Sequence, residues 1–301
     1  MSTMTEDARA WHALREVNGL GPKGLGTLAR ALTSQHMGAN ELVGADADRL
    51  RALGLKERIA AEAARALADP AAPPASPEHA TVVTPDHEKY PVERLASPLG
   101  APVVLYCAGN LDLLRARGVA VAGSRDAHEQ ALAFAAGLVE ALDGLNVVAG
   151  AAAGIDETAH RAALSAGRTT TAVLAEGIDQ PRARDGLRMG DPERLLIVSE
   201  FDPGKRWTRY QAMARNRTIA WLAGAVVVVA AGDRGGSWEQ AQLCLKENVP
   251  LFVPDFPAEI APANRRLIEA GARALDPNDA RAAAELVAGV EPEPRQLELL
   301  T

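Results

Sequence analysis

The hexapeptide Ala225-Val226-Val227-Val228-Val229-Ala230 limits the possible folds of this chain more than any other feature, because all six residues are apolar. A half-exposed strand alternates apolar and polar residues, whereas an uninterrupted apolar run indicates a strand covered on both faces. Helical stretches separate it from other short apolar runs rich in β-branched residues, at 103–107, 119–122, 146–149, 170–174, 195–199 and 251–254. This alternation predicts an α/β fold: an extended, Rossmann-like, mostly parallel sheet with helices on both faces.

Sequence pattern divides the chain into four parts. Residues 1–69 are rich in Ala and Leu at helical spacing and contain glycine turns, which predicts a small all-helical domain of the helix-hairpin-helix or SAM-like kind. Residues 70–80 contain four prolines and are predicted to be a linker. The Rossmann-like domain should occupy residues 81–276, and residues 277–301 should form one helix and a tail.

Composition excludes several classes of protein. Hydrophobic residues make up 48% of the chain, yet no run approaches the roughly 20 apolar residues that span a bilayer, so we expect a cytoplasmic protein without membrane contact. Cys107 and Cys244 lie in apolar segments without further metal ligands nearby, which predicts buried free thiols, no metal and no cofactor. The formal net charge of −7 restricts any nucleic-acid site to a local basic pocket.

Glycine-rich loops follow three of the predicted strands. Gly123-Ser124-Arg125 joins a strand to a helical stretch, and such a turn directs backbone N–H groups and a helix dipole toward one point. Gly150 and Gly154 flank the loop after the next strand, and Gly236-Ser237 follows the apolar hexapeptide. Because parallel strands end at the same edge of a sheet, these loops should line one crevice suited to phosphate.

Three polar residues near these loops have both a structural and a functional interpretation. Asp156 and His160 lie four residues apart at a predicted helix start, where we expect Asp156 to cap the helix while His160 could reach it or a ligand. Glu239 could be a catalytic acid, although an acidic residue in the first turn of a helix is more often explained by the helix dipole.

Basic and aromatic residues alternate most densely in Lys205-Arg206-Trp207-Thr208-Arg209-Tyr210, and the basic character continues to Arg215-Asn216-Arg217. Arginine forms bidentate contacts with phosphate, and an aromatic ring offers a face on which a base can stack. The segment follows the strand at 195–199, so we expect it to border the same crevice.

In order and spacing, these motifs resemble those of the bacterial DNA-processing protein A family (DprA, also called Smf). The resemblance covers most of the chain and includes Gly19-Leu20-Gly21, Tyr90-Pro91, Gly123-Ser124-Arg125, Gly154-Ile155-Asp156, Ser199-Glu200 and Arg215-Asn216-Arg217. It implies a homodimer that binds single-stranded DNA and loads the recombinase RecA during natural transformation or recombination, and that is not an enzyme. The carboxy-terminal winged helix of many members is not expected in this chain.

The resemblance also implies which residues contact DNA. Four arginines would bind phosphate, and backbone N–H groups of neighbouring glycine loops would support them. Together the implied DNA-binding residues are Gly123, Ser124, Arg125, Gly150, Gly154, Arg168, Arg215, Asn216, Arg217, Gly236 and Ser237.

Two alternatives remain open at this point. Gly235-Gly236-Ser237-Trp238-Glu239 departs from the family pattern and loosely resembles the Gly-Gly motif of nucleotide phosphoribohydrolases, enzymes of the same broad fold that cleave an N-glycosidic bond. The helical domain, for its part, could contact duplex DNA through Gly19 to Gly24, or it could serve for packing or protein contact. Its mixed charges favour packing or protein contact.

Overall fold

The computed structural model describes residues 5–180 and 191–290. Its first part is the predicted helical domain, whose helices are α1 (Glu6–Arg15), α2 (Pro22–Ser34), α3 (Ala47–Ala52) and α4 (Glu57–Ala68). Local chemistry fixes where they start: the Thr5 side chain accepts from the Ala8 N–H at the start of α1, and Pro22 occupies the first turn of α2 after Gly21. Residues 70–77 then run without helix or strand, as expected for the linker.

Nine strands of the described residues then form one sheet, in the order β1-β2-β6-β5-β4-β3-β7-β8-β9. Its strands are β1 (Thr81–Val83), β2 (Leu105–Gly109), β3 (Gly118–Gly123), β4 (Asn146–Gly150), β5 (Thr170–Val173), β6 (Leu195–Ser199), β7 (Ala225–Ala230), β8 (Leu251–Pro254) and β9 (Arg273–Leu275). Strands β3 to β9 pair in parallel, whereas β1 and β2 are antiparallel. This confirms the predicted fold class; the short edge strands β1 and β9 were not predicted.

Helices cover both faces of the sheet and create two buried clusters. On one face lie α5 (Glu129–Ala141), α6 (Ile155–Ser165) and α10 (Ala280–Ala288). On the other lie α7 (Arg209–Leu222) and α8 (Gly236–Lys246), together with the helical domain; the short α9 (Asn264–Glu269) follows β8. Every residue of β7 is buried, as its uninterrupted apolar sequence predicts.

The sequence-defined domains share their cores. Trp11 and Leu14 of α1 belong to the same buried cluster as Tyr106 of β2, so the helical domain packs directly on the sheet. Helix α10, expected as part of a separate carboxy-terminal segment, packs against α5 through Ala283 and Val287. The predicted tail beyond residue 290 lies outside the described residues. No helix in the described part of the chain is long and apolar enough to cross a bilayer.

Candidate nucleic-acid interface

The loops after β3 and β4 interlock at the carboxyl edge of the sheet. Ser124 donates its backbone N–H to the Ala230 carbonyl at 2.9 Å, and Ile155 donates to the Ser124 carbonyl at 3.3 Å. Gly154, the N-cap of α6, has φ +79°, and a Cβ there would lie 2.4 Å from the carbonyl oxygens of Ser124 and Arg125. Glycine is therefore required at residue 154, both for this backbone conformation and for the close approach.

Arg215 reaches the same edge from α7. Its Nη1 donates to the Val173 carbonyl at the end of β5, at 2.7 Å. A Cβ on Gly150 would lie 2.0 Å from that Nη1, so the missing side chain provides the space that the guanidinium occupies. Gly150 lies within β4, in register with Val173, and the contribution that the structure shows for it is steric. That its N–H binds phosphate stays a prediction.

Trp207 places an aromatic face beside Arg125. The Cζ atom of Arg125 lies 5.7 Å from the centroid of the Trp207 ring, a cation–π arrangement, and 39% of the Trp207 surface is exposed. The strand-end crevice, as we call it, is lined by Arg125, Ala151, Ala152, Leu174, Ala175, Glu176, Trp207 and Arg215. The basic and aromatic segment thus borders the glycine loops, as the sequence predicts.

A buried carboxyl group lies beside the arginines. Asp156 is only 6% exposed, and this burial raises its pKa to about 6, while the charge of Arg215, the Ala152 N–H and the charge of Arg125 oppose the rise. The expectation that Asp156 caps α6 is wrong, because the N-cap is Gly154 and makes no side-chain capping bond. Asp156 instead places a titratable charge next to the cations of the crevice.

His160 is fixed in the interior and does not reach the crevice. Its Nε2 lies 2.7 Å from the Gly150 carbonyl oxygen, and its Nδ1 lies 2.7 Å from the Thr170 hydroxyl. Burial lowers the pKa of His160, which favours the neutral ring. Nε2–H then donates to the Gly150 carbonyl, and Nδ1 lies against the Thr170 hydroxyl, whose oxygen is also 2.9 Å from the Val147 carbonyl oxygen. Both ring nitrogens therefore have partners within the fold.

Asn216 contributes by holding the turn after β7. Its buried side chain donates to the Gly236 carbonyl at 3.1 Å, which ties α7 to the start of α8. Gly235 is the N-cap of α8 with φ +109°, and the helix start leaves the N–H groups of Gly236 and Ser237 without intrahelical partners. Asn216 therefore supports this loop. That Gly236 and Ser237 bind phosphate through their N–H groups stays a prediction.

Arg168 and Arg217 do not join the crevice. Arg168 precedes β5, at the amino edge of the sheet, and donates to Asp143 Oδ1 at 2.7 Å and to the Glu140 carbonyl. The prediction that it converges with the other arginines is wrong, because the crevice is at the opposite edge. Arg217 lines a different cavity of about 300 Å³, which it shares with the glycine turn of the helical domain at residues 19–24.

The thiol predictions are confirmed, and the described residues offer one candidate cation site elsewhere. Cys107 and Cys244 are both free and buried. His12, Glu16 and Asp202 place one potential ligand atom each within 4.8 Å of one another. The Arg15 guanidinium lies 2.5 Å from Asp202, so this carboxylate already has a cationic partner.

Comparisons with known proteins agree with this architecture. The DNA processing protein DprA of Streptococcus pneumoniae is 38% identical over 155 residues, which cover 50% of this chain and 55% of the relative. The chain spans about half the length of the curated relatives it matches. The X-ray structure of DprA from the same organism superposes with a TM-score of 0.70 at 26% identity, covering 93% of this chain and 98% of that one.

A second solved structure and a family model complete the comparison. DNA processing protein A from Helicobacter pylori, whose structure was described for its single-stranded DNA binding mode, has the same fold, with a TM-score of 0.57 at 23% identity. The superposition covers 69% of this chain and 97% of the Helicobacter pylori chain. The model of the family described as DNA recombination-mediator protein A matches residues 81–285, the sheet and nearly all of its helices. The chain therefore belongs to the DNA recombination-mediator protein A family, which the sequence motifs indicate as DprA/Smf.

Proposed function

We propose that this protein binds a few nucleotides of single-stranded DNA across the strand-end crevice. The observation that carries the proposal is the meeting of Arg125, Arg215 and the Trp207 ring at one edge of the sheet. Arginine pairs with phosphate oxygens, and an indole face accepts a base, so the crevice offers both contacts that a nucleotide strand needs.

Charge and backbone geometry support an anionic ligand here. The chain as a whole has a net charge of −7, whereas residues 205–210 carry three exposed cations in addition to the crevice arginines. The starts of α6 and α8, at Gly154 and Gly236, lie at the carboxyl edge of the sheet, where helix dipoles favour negative charge. A local basic site on an acidic protein is selective, because the rest of its surface repels nucleic acid.

A single strand fits this site better than a duplex. A base must be unpaired and unstacked to lie on the Trp207 ring, and stacking of this kind stabilises binding by about 1–3 kcal/mol per base. The Helicobacter pylori protein of the same fold binds single-stranded DNA, which supports the same function for this chain.

The decisive experiment is a fluorescence-anisotropy titration of the full chain with a labelled oligo(dT) and with a duplex of the same length. We expect tighter binding of the single strand, and weaker binding for Arg125→Ala with every sequence tested, because the lost contact is to phosphate. Equal affinity for duplex and single strand, or unchanged binding by Arg125→Ala, would contradict the proposal.

The proposed cellular role is to protect incoming DNA and to load RecA in natural transformation or recombination, as a homodimer in the cytoplasm. It rests on the resemblance to DprA/Smf proteins. If the proposal is right, the protein should shorten the lag of RecA filament formation on single-stranded DNA, and light scattering should give twice the mass of one chain. A protein that leaves the lag unchanged does not load RecA.

We further propose that the protein acts by binding and not by catalysis. The alternative, an N-glycosidic hydrolase, requires Glu239 as its acid, and this residue lies in the first turn of α8, outside the residues that line the strand-end crevice. Incubation with nucleoside monophosphates should release no base. Base release that Glu239→Gln abolishes would establish the enzyme instead.

A further inference from the structure

The segment that carries Trp207 is held by a carboxylate that takes no part in the crevice. We call residues 200–208, between β6 and α7, the Trp207 loop. Within it, Asp202 accepts hydrogen bonds from Arg15 Nη2 at 2.5 Å and from the Tyr106 hydroxyl at 2.8 Å, and His12 Nε2 lies at 3.3 Å. Arg15 and His12 belong to α1 of the helical domain, so one carboxylate joins that domain, the sheet and the loop.

Arg15 donates hydrogen bonds to the Trp207 loop at two points. Besides the Asp202 carboxylate, its guanidinium donates from Nη1 to the Glu200 carbonyl at 3.1 Å. The side chains of Arg15 and Asp202 are only 18% and 12% exposed, so water screens this pair weakly. Burial raises the pKa of Asp202, but the His12 hydrogen bond and the Arg15 charge outweigh it and hold the pKa well below its usual range. The carboxylate stays ionised under ordinary conditions.

Backbone hydrogen bonds extend the constraint along the loop toward the indole. Lys205 N–H donates to the Asp202 carbonyl at 3.1 Å, and the Lys205 carbonyl accepts from Gly177 N–H at 2.8 Å. Gly204 N–H donates to Asp179 Oδ1 at 2.8 Å. Asp202 thus fixes one end of residues 202–205, and the hydrogen bonds of Gly204 and Lys205 fix the other end to the loop after β5. Trp207 lies two residues beyond Lys205.

We infer that the helical domain promotes single-stranded DNA binding without touching DNA, because Arg15 of α1 and Asp202 hold the Trp207 loop with its indole facing Arg125. The inference rests on the proposed function of the strand-end crevice. Asp202 is a positioning residue. A loop that is ordered before binding does not lose its conformational freedom on binding, and affinity is correspondingly higher.

The direction in which one substitution changes DNA affinity distinguishes a positioning role of Asp202 from a purely electrostatic one. Asp202→Asn removes a negative charge near the DNA site, so electrostatics alone would make binding tighter. Loss of the Arg15 pair frees the loop, so positioning predicts the opposite, a loss on the order of tenfold in affinity for oligo(dT). The slope of log affinity against log salt should stay as in the wild type, because no phosphate contact is removed.

A matched control lies next to the same arginine. Glu16 is 65% exposed and contacts Arg15 at 3.3 Å. Its carboxylate lies within 4.8 Å of that of Asp202, but among the described residues its side chain makes no hydrogen bond to the Trp207 loop. Glu16→Gln changes the net charge by the same amount as Asp202→Asn, and it should bind oligo(dT) as the wild type does or slightly more tightly. Arg125→Gln serves as the variant that impairs the crevice itself.

The experiment is an oligo(dT) titration of the full-length wild type, Asp202→Asn, Glu16→Gln and Arg125→Gln, with hydrogen exchange followed in residues 200–208. We expect Asp202→Asn to weaken binding and to accelerate exchange in the loop, while α5 keeps its protection. If Asp202→Asn does not fold, Tyr106→Phe removes one of the same hydrogen bonds and should weaken binding by a smaller factor.

The outcomes distinguish this inference from the proposed function. If Arg125→Gln weakens binding but Asp202→Asn, or Tyr106→Phe in its place, binds at least as tightly as the wild type, the positioning role is overturned and the crevice stands. If the wild type does not bind oligo(dT), or Arg125→Gln binds equally well, both fail.

Discussion

Replacing Arg125 with glutamine should reduce the salt dependence of single-stranded DNA binding by a definite amount. Each phosphate contact with a single strand releases about 0.7 counterion, so it adds about −0.7 to the slope of log affinity against log salt. The structure places two arginines, Arg125 and Arg215, at the strand-end crevice. These two contacts alone give a slope of about −1.4, and Arg125→Gln should reduce it to about −0.7.

Arg168→Gln is the matched control, because it removes the same charge from the opposite edge of the sheet. Its hydrogen bonds to Asp143 and to the Glu140 carbonyl stabilise the fold, so we expect a loss of about 1–2 kcal/mol in the free energy of unfolding. Its salt slope should equal that of the wild type.

Anisotropy titrations with oligo(dT) between about 50 and 200 mM salt measure these slopes. The affinity of the wild type should fall about sevenfold over this range, and that of Arg125→Gln about two- to threefold. A slope unchanged by Arg125→Gln, or a slope that Arg168→Gln reduces equally, would refute the placement of the phosphate contacts at the carboxyl edge.

Three further changes test separate parts of the site. Below a pH of about 6 the buried Asp156 becomes neutral and no longer offsets the charges of Arg125 and Arg215, so oligo(dT) affinity should rise as pH falls from about 7 to about 5. Asp156→Asn should remove this pH dependence. A wild-type affinity that falls with pH would contradict the prediction. In the same titration, Trp207→Ala should weaken oligo(dT) binding by about 1–3 kcal/mol, whereas Trp207→Phe should retain most of the wild-type affinity. Equal losses of affinity in the two variants would exclude base stacking on residue 207. Gly154→Ala should lower the melting temperature measured by circular dichroism, because the added Cβ would meet the carbonyl oxygens of Ser124 and Arg125. An unchanged melting temperature would show that the loops after β3 and β4 can separate.

The sheet could be predicted from sequence because its inner strands are short and mostly apolar. The six residues of β7 are buried at every position, so one periodicity argument sufficed for it. Strands β1 and β9 have three residues each, at the two edges of the sheet, and segments that short carry no periodic signal.

The candidate site was predictable only where sequence order determines geometry. Gly123-Ser124-Arg125 follows a strand and must lie at its carboxyl end, whereas Arg168 precedes β5 and lies at the amino end. Arg217 follows Arg215 by two residues, which on a helix is about 200° of rotation, so the two side chains line different cavities.

The anchoring of the Trp207 loop had no sequence signal at all. Tyr106 and Arg15 are 96 and 187 residues away from Asp202 along the chain, and only the packing of the helical domain on the sheet brings them together. Local patterns of charge and hydrophobicity contain no information on contacts of that separation.

The most direct test of the central claim is the crystal structure of the full chain with bound oligo(dT). Our account predicts phosphates within hydrogen-bond distance of Arg125 and Arg215, and a thymine lying on the Trp207 ring. A strand bound elsewhere, at the amino edge of the sheet near Arg168 or across the helical domain, would contradict it.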